Sequence, residues 1–132
     1  RISLIQNKQK KGAGKSRNIG IQNSNGKFVA FLDADDLWYE EKLQIVFNEI
    51  QSSKLIDVFS TDEFQIDEDT GTKTHLNYGP YCKDFYKILL LNGNRLSTSA
   101  TIVNCNFLKK NLQFVMGVYL PHQFLFGASL QK

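Results

Sequence analysis

The sequence predicts one α/β domain whose mostly parallel sheet is flanked by helices and carries a partly antiparallel extension. Residues 28–32 form a continuous apolar run, which is typical of a strand buried on both faces. Residues 63–76 form two segments around an Asp- and Gly-containing turn, which predicts a β-hairpin. Apolar side chains at helical spacing predict an amphipathic helix with four core residues: Leu43, Val46, Phe47 and Ile50.

The remaining elements are predicted from apolar runs and from the residues that end them. We expect Gly26 to cap the first helix in the left-handed conformation and Asp36 to cap the second at its start. Gly93 is expected just past the end of the third helix. The predicted segments are strands at 2–5, 55–61 and 99–103, helices at 15–24 and 81–91, and a short helical turn at 107–111.

Charge is strongly segregated along the chain. All thirteen acidic residues lie between Asp33 and Asp84, whereas residues 1–32 hold seven basic residues and no acidic one. A basic segment that leads into carboxylates favours binding of a polyanion through basic groups and a bridging metal ion. No aromatic side chains interleave with the basic residues 8–17, so the stacking surface of a nucleic-acid site is not indicated. We therefore expect no nucleic-acid partner.

Length and composition narrow the class of protein further. The chain has 132 residues, 42% of them hydrophobic, which fits one domain with a buried core. No apolar run approaches the roughly 18–20 residues needed to span a bilayer, and no signal-peptide pattern opens the sequence. Cys82 and Cys105 lack metal-site spacing and are predicted to be free thiols. We expect a cytoplasmic protein with at most peripheral membrane association.

Three carboxylates follow the apolar run directly, as Asp33, Asp35 and Asp36. In an open α/β sheet, ligands bind beyond the carboxyl ends of the strands. Carboxylate oxygens are the ligands that Mg²⁺ and Mn²⁺ prefer, and bunched carboxylates repel one another unless a cation lies between them. This run therefore predicts a metal and phosphate site, and the alternative is an exposed turn in which Asp36 only caps the next helix.

Two other phosphate-handling motifs fit less well. Gly14-Lys15-Ser16 is similar to the end of a P-loop, but Gln9 stands where that loop needs its first glycine. Asp33-Ala34-Asp35 is similar to the motif of haloacid-dehalogenase-type phosphatases, but Leu37 stands where that motif has Thr or Val. That motif also normally opens its domain, whereas a predicted strand and helix precede it here.

Residues 15–38 resemble family 2 glycosyltransferases of the GT-A fold, which is Rossmann-like. The resemblance rests on Arg17-Asn18-Ile19-Gly20 on a predicted helix, then Asn25-Gly26, an apolar strand, Asp-x-Asp-Asp and an aromatic residue, Trp38. Looser matches continue at residues 57–62, at the hairpin and at residues 96–103. The resemblance extends from about residue 7 to about residue 114.

The resemblance implies a donor site for a nucleotide-diphosphate sugar. By position, Asp33 addresses the ribose, Asp35 coordinates Mn²⁺ or Mg²⁺ with Asp33 beside it, and Asp36 lies at the edge of the site. Arg17 is implied to lie near the nucleotide base. The implied acceptor is a glycan or a lipid-linked acceptor in surface polysaccharide synthesis, at the inner face of the plasma membrane. By the same analogy, residues 97–101 line the acceptor side.

Two parts of the family pattern are missing from the sequence. Family members open with an apolar strand and an Asp-Gly-Ser segment, and inverting members carry an acidic catalytic base after the region of Phe114. Residues 115–132 contain no acidic residue, so no catalytic base is assigned. We interpret residues 1–132 as a single incomplete domain with an atypical tail at 115–132. A non-catalytic nucleotide- or glycan-binding domain of the same fold stays open as an alternative.

Overall fold

The computed structural model describes residues 2–53, 56–77, 79, 85–93 and 96–111. These residues divide between two compact units, one built from residues 2–29 and 103–111 and the other from the described part of residues 30–102. The tail predicted at 115–132 lies outside the described residues, as do Cys82 and His122. In chain order the elements are α1 (Gly12–Asn23), β1 (Phe28–Ala30), α2 (Lys42–Ser52), β2 (Val58–Ser60), β3 (Glu63–Ile66), β4 (Lys73–Leu76), α3 (Phe85–Asn92), β5 (Thr101–Asn104) and α4 (Cys105–Asn111).

The larger sheet has three strands in the order β1-β5-β2. Strand β5 is antiparallel to β1, because the Phe31 N–H donates to the Thr101 carbonyl while the Cys105 N–H donates to the Lys27 carbonyl. Residue numbers that rise along β1 therefore pair with numbers that fall along β5. The predicted α/β class is confirmed. Antiparallel pairing was predicted only for an extension of the sheet, whereas β1 and β5 of the larger sheet are also antiparallel.

The strand predicted at 28–32 is shorter and less buried than expected. It ends at Ala30, Ala30 is exposed, and Leu32 is about half exposed. The prediction that this strand is buried on both faces is therefore wrong. The reason lies in its position, since β1 is at the edge of the described three-stranded sheet and has a described neighbour on one side only.

The strand predicted at residues 2–5 is absent. These residues have irregular backbone, and Ile2 and Leu4 are almost completely exposed. A strand is stabilised by hydrogen bonds to a neighbouring strand, and among the described residues this segment has no such neighbour. Its apolar composition alone does not make a strand.

The first unit is built around the contact between α1 and α4. Ile21 of α1 and Leu108 of α4 are both buried. The Ser24 hydroxyl lies 3.3 Å from the buried thiol of Cys105, and the Lys109 ammonium donates to the Ser24 carbonyl at 2.8 Å. Cys105 is a free thiol, as predicted.

Helix α1 begins and ends differently from the prediction. It starts at Gly12 rather than Lys15, and its C-cap is Ser24, whose N–H and hydroxyl both donate to the Ile21 carbonyl. The prediction of a left-handed cap at Gly26 is wrong, because that glycine does not have a positive φ. The serine satisfies the helix end, so no left-handed residue is needed there.

In the second unit, the core includes fewer residues of α2 than predicted. Val46 of α2 is buried and Ile50 is half-buried, but Leu43 and Phe47 are about half exposed. The prediction that all four line the core is thus wrong for two of them. Buried residues from β2 and β5 complete this core, namely Val58, Phe59 and Ile102, together with Ala100.

The start of α2 also differs from the prediction. The helix begins at Lys42, and its N-cap is Glu41, without a side-chain cap hydrogen bond. The proposed capping role of Asp36 is therefore wrong. Asp36 belongs instead to a turn that precedes the helix by several residues. Its carboxylate is thus not committed to a helix end.

The predicted hairpin is confirmed. Strands β3 and β4 are antiparallel, and Phe64 lies opposite His75. The N–H and hydroxyl of Thr70 both donate to the Asp67 carboxylate at 2.7 Å, and these bonds lower the pKa of that carboxyl. A turn of this kind fixes the register of the strands that it joins.

The later elements lie near their predicted positions. Gly93 follows α3 with φ of +79°, as expected for the residue after a helix. Strand β5 and helix α4 occupy residues 101–111 in place of the strand and turn predicted at 99–103 and 107–111. Among the described residues, no helix has both the length and the apolar character required to cross a bilayer.

Replacing Leu108 by alanine (L108A) should lower the free energy of unfolding by about 2–5 kcal/mol, because the deletion leaves a cavity at a side chain that is only 1% exposed. Urea unfolding followed by circular dichroism measures this loss. The matched control is L90A, which shortens a leucine of α3 that is 66% exposed. Equal losses in the two variants would contradict the assignment of Leu108 to the core.

Candidate functional site

The candidate site lies at one edge of the sheet, in the second unit, where β1 and β2 end and β5 begins. The Phe31 N–H donates to the Thr101 carbonyl at 3.3 Å, and the Thr61 N–H donates to the Ala100 carbonyl at 3.1 Å. The segments that follow β1 and β2 are thus both hydrogen-bonded to the start of β5. Three separate stretches of sequence therefore come together at this edge.

The three aspartates lie on a tight turn two residues after the end of β1, here called the aspartate turn (residues 33–36). The Asp36 N–H donates to the Asp33 carbonyl at 3.2 Å, which closes the turn. Asp33 is half-buried, whereas Asp35 and Asp36 are exposed. These carboxylates therefore lie beyond the carboxyl end of a strand, as predicted.

Ser99 holds the start of the aspartate turn. Its hydroxyl accepts a hydrogen bond from the Asp33 N–H at 2.9 Å, although the two residues are 66 positions apart. Ser99 is 3% exposed, and the bond therefore forms away from bulk water. Such a bond is stable because breaking it leaves a buried donor without a partner.

Trp38 and Lys42 bind the backbone carbonyl of the same serine. The indole Nε1–H donates at 2.8 Å and the lysine ammonium donates at 2.6 Å, so two donors share one carbonyl oxygen. The ammonium also lies 4.9 Å from the centre of the Trp38 ring, within the range of a cation–π contact. Trp38, predicted to be a packing residue, is therefore also a hydrogen-bond donor at the site.

Lys42 places a positive charge beside the acidic turn. Partial burial lowers the pKa of its ammonium, and the negative charges of Glu63 and Asp36 act in the opposite direction. Desolvation is the larger effect, so the net shift is downward. The sequence suggested no role for Lys42, because a lysine in the first turn of an amphipathic helix usually lies in solvent.

A second cluster joins the hairpin to the segment after the aspartate turn. His75 Nε2 lies 3.2 Å from the Asp62 carboxylate, and the imidazole stacks on Phe64 at 5.0 Å between ring centres. The Tyr39 ring contacts the Phe64 ring edge-on, with 6.3 Å between the ring centres. His75 and Phe64 are cross-strand neighbours, which explains their stacking. The sequence assigned no role to His75.

Arg17 is half-buried on α1, in the first unit. The aspartate turn belongs to the second unit. The placement of Arg17 near a nucleotide base therefore stays a prediction. The same holds for the metal roles of Asp33 and Asp35.

The donor chemistry of the aspartate turn fits a divalent cation. Within the described ranges, no group of three or more His, Cys, Asp or Glu side chains is arranged as a metal cluster. Mg²⁺ is usually held by one or two carboxylates together with substrate phosphates. Asp33 and Asp35 supply two carboxylates on one short turn, and Asp35 is exposed to an incoming ligand.

Comparison with known proteins identifies the family. The model of glycosyl transferase family 2 matches residues 1–112, and the chain belongs to this family. This membership favours the glycosyltransferase interpretation over the phosphatase alternative, and the α/β fold with its strand-end carboxylates agrees with it.

The individual relatives are described as glycosyltransferases. A UDP-Glc:alpha-D-GlcNAc-diphosphoundecaprenol beta-1,3-glucosyltransferase of Escherichia coli, WfaP, is 33% identical over 89 residues, which cover 63% of this chain and 35% of that protein. A second Escherichia coli enzyme of the same description, WfgD, is 44% identical over 45 residues, 34% of this chain and 18% of its own length. An uncharacterised glycosyltransferase of Rickettsia bellii is 36% identical over 75 residues, 56% of this chain and 11% of its own length. The chain thus spans a third or less of the length of most of these relatives.

The lowered pKa of Lys42 predicts a pH dependence of stability. Between that pKa and 10.5, the unfolded chain holds more protons on this lysine than the folded chain does, so folding becomes more favourable as the pH rises through this window. We expect the free energy of unfolding of the wild type, relative to the Lys42→Met variant, to increase from neutral pH towards 10.5.

Urea unfolding at a series of pH values measures this difference. The Lys10→Met variant, which removes an exposed lysine, is the matched control for the loss of one positive charge. A difference between wild type and Lys42→Met that stays constant or falls as the pH rises contradicts the burial of the ammonium.

Proposed function

We propose that this chain is the donor-binding part of a glycosyltransferase that moves a sugar from a nucleotide-diphosphate sugar to a glycan or lipid-linked acceptor. The observation that carries this proposal is the aspartate turn, held against Ser99 at the end of β1 in a member of glycosyltransferase family 2. Carboxylates at the carboxyl ends of strands in an open α/β sheet lie where such sheets bind their ligands.

Each carboxylate has a distinct proposed role. Asp33, whose backbone is fixed by Ser99, hydrogen-bonds the ribose of the donor. Asp35, which is exposed, holds Mn²⁺ or Mg²⁺ against the donor diphosphate, with Asp33 beside it and Asp36 at the edge of the site. The bound ion neutralises negative charge as the nucleoside diphosphate leaves the sugar. Arg17 contacts the nucleotide base, where a planar guanidinium suits polar ring edges.

The acceptor and the place of the reaction follow from the relatives. The two Escherichia coli proteins are described as transferring glucose to a GlcNAc-diphosphoundecaprenol, which is a lipid-linked sugar. We propose an acceptor of this class here, used in surface polysaccharide synthesis at the inner face of the membrane. Exposed lysines at positions 8, 10, 11 and 15 suit peripheral contact with anionic lipid headgroups.

Replacing Asp35 by asparagine (D35N) should weaken Mn²⁺-dependent UDP binding by at least about tenfold, because an amide lacks the charge that the ion requires. Trp38 is the single tryptophan of the chain. Its indole is hydrogen-bonded to Ser99, which is in turn hydrogen-bonded to Asp33, so its fluorescence reports on this site. Titration of the purified protein with UDP, with and without Mn²⁺, gives the affinity.

The matched control for D35N is Glu40→Gln, which neutralises an exposed acid shortly after the turn. We expect this variant to bind as the wild type does. UDP binding that needs no Mn²⁺ and is unchanged in D35N would overturn the proposed metal role.

Replacing Arg17 by glutamine (R17Q) should weaken UDP binding about tenfold and leave binding of Mn²⁺ alone unchanged, because the proposed contact is with the base and not with the ion. Isothermal calorimetry measures both affinities. The control is Lys15→Gln on the same helix, where an exposed charge is removed. Equal losses in R17Q and Lys15→Gln would show a general charge effect instead of a base contact.

A further inference from the structure

Ser99 is the buried polar residue of the described part of the chain, and its surroundings explain why it is buried. It lies on a turn directly before β5 that Thr101 closes twice. The Thr101 N–H donates to the Thr98 carbonyl at 3.1 Å, and its hydroxyl donates to the Ser97 carbonyl at 2.6 Å. These two hydrogen bonds fix the backbone of the turn that carries Ser99.

The hydroxyl and the backbone carbonyl of Ser99 bind the same partner segment. Its hydroxyl accepts the Asp33 N–H, and its carbonyl accepts the Trp38 indole and the Lys42 ammonium. These three donors lie on a stretch of ten residues that contains all three aspartates of the site. One buried residue thus holds the stretch at its beginning, near its middle and at its end.

The burial of apolar side chains contributes little to holding the aspartate turn in position. Leu37, the apolar residue that directly follows the turn, is 94% exposed, and Leu32 before it is about half exposed. Neither side chain anchors the turn by packing fully into the core. Together with the hydrogen bond from the Phe31 N–H to the Thr101 carbonyl, the bonds to Ser99 hold the turn at a defined position relative to β5.

We propose that Ser99 is a positioning residue of the donor site, which sets the place of the Asp33 backbone and thereby the direction of the turn's carboxylates. This proposal rests on the proposed function for its effect on ligand binding, but its structural part does not. A carboxylate pair that is ordered before the ligand arrives loses less freedom on binding, so the affinity is higher.

The primary test is amide hydrogen exchange of Asp33, measured by NMR in protein without metal or nucleotide. Ser99→Ala removes the acceptor of this N–H, and we expect exchange to become about three- to tenfold faster, the size of one net hydrogen bond. The matched control is Ser60→Ala. It deletes a hydroxyl at the end of β2, and that buried hydroxyl has no hydrogen-bond partner in the described structure. We expect wild-type exchange at Asp33 in this control.

The second readout is the affinity for Mn²⁺ with UDP, which a purely structural serine would not change at temperatures where the variant is folded. We expect a loss of about three- to tenfold in Ser99→Ala and none in Ser60→Ala. Trp38→Phe, which keeps an aromatic ring but loses the N–H to the Ser99 carbonyl, supplies a second comparison if Ser99→Ala unfolds. Its affinity is measured by isothermal calorimetry, because the variant has no tryptophan fluorescence.

The outcomes separate this proposal from the proposed function. Unchanged exchange at Asp33 in Ser99→Ala overturns the positioning role, whatever the protein binds. Faster exchange with unchanged affinity also overturns it, because the serine then stabilises the fold without affecting the site. Faster exchange in a protein whose wild type binds neither Mn²⁺ nor UDP supports the positioning of the turn and overturns the proposed function alone.

Discussion

The site depends on one buried residue that accepts three hydrogen bonds. Ser99 takes the Asp33 N–H on its hydroxyl and the Trp38 and Lys42 donors on its carbonyl. A buried polar group without partners would cost about 1–3 kcal/mol, so each of these bonds is favoured by the penalty of breaking it. Apolar contact does not replace them, because Leu37 after the turn is almost completely exposed and Leu32 before it is about half exposed. Polar geometry, more than the hydrophobic core, therefore defines this edge of the sheet.

Lys42 links this geometry to the charge of the site. Its ammonium is held by the Ser99 carbonyl and the Trp38 ring, and it lies in the field of Asp36 and Glu63. The arrangement moderates repulsion among the carboxylates before a cation or a nucleotide arrives. The same positive charge opposes a second cation, so under the proposed function an ion at Asp35 would gain part of its stability from the phosphates of the donor. Under that proposal, metal binding and nucleotide binding would be coupled.

Sequence reasoning predicted the parts of the site that local patterns encode. The apolar run before Asp33 and the spacing from Arg17 indicated the strand end and the family, and the turn residues around Gly71 indicated the hairpin. It did not predict the role of Ser99, because its partners lie 57–66 residues away and no local pattern records such a distance. It also assigned Leu43 and Phe47 to the core, because periodicity shows which face is apolar but not how far that face is covered.

The distance between these partners has a consequence for synthesis and folding. The aspartate turn is complete once residue 36 is made, but its acceptors on Ser99 follow more than sixty residues later. Closing so long a loop is entropically costly and happens only when β5 joins the sheet between β1 and β2. Three unshielded carboxylates therefore stay unordered on the nascent chain until one of the last described strands docks. The aspartate turn therefore becomes ordered late in folding, once the described three-stranded sheet has formed.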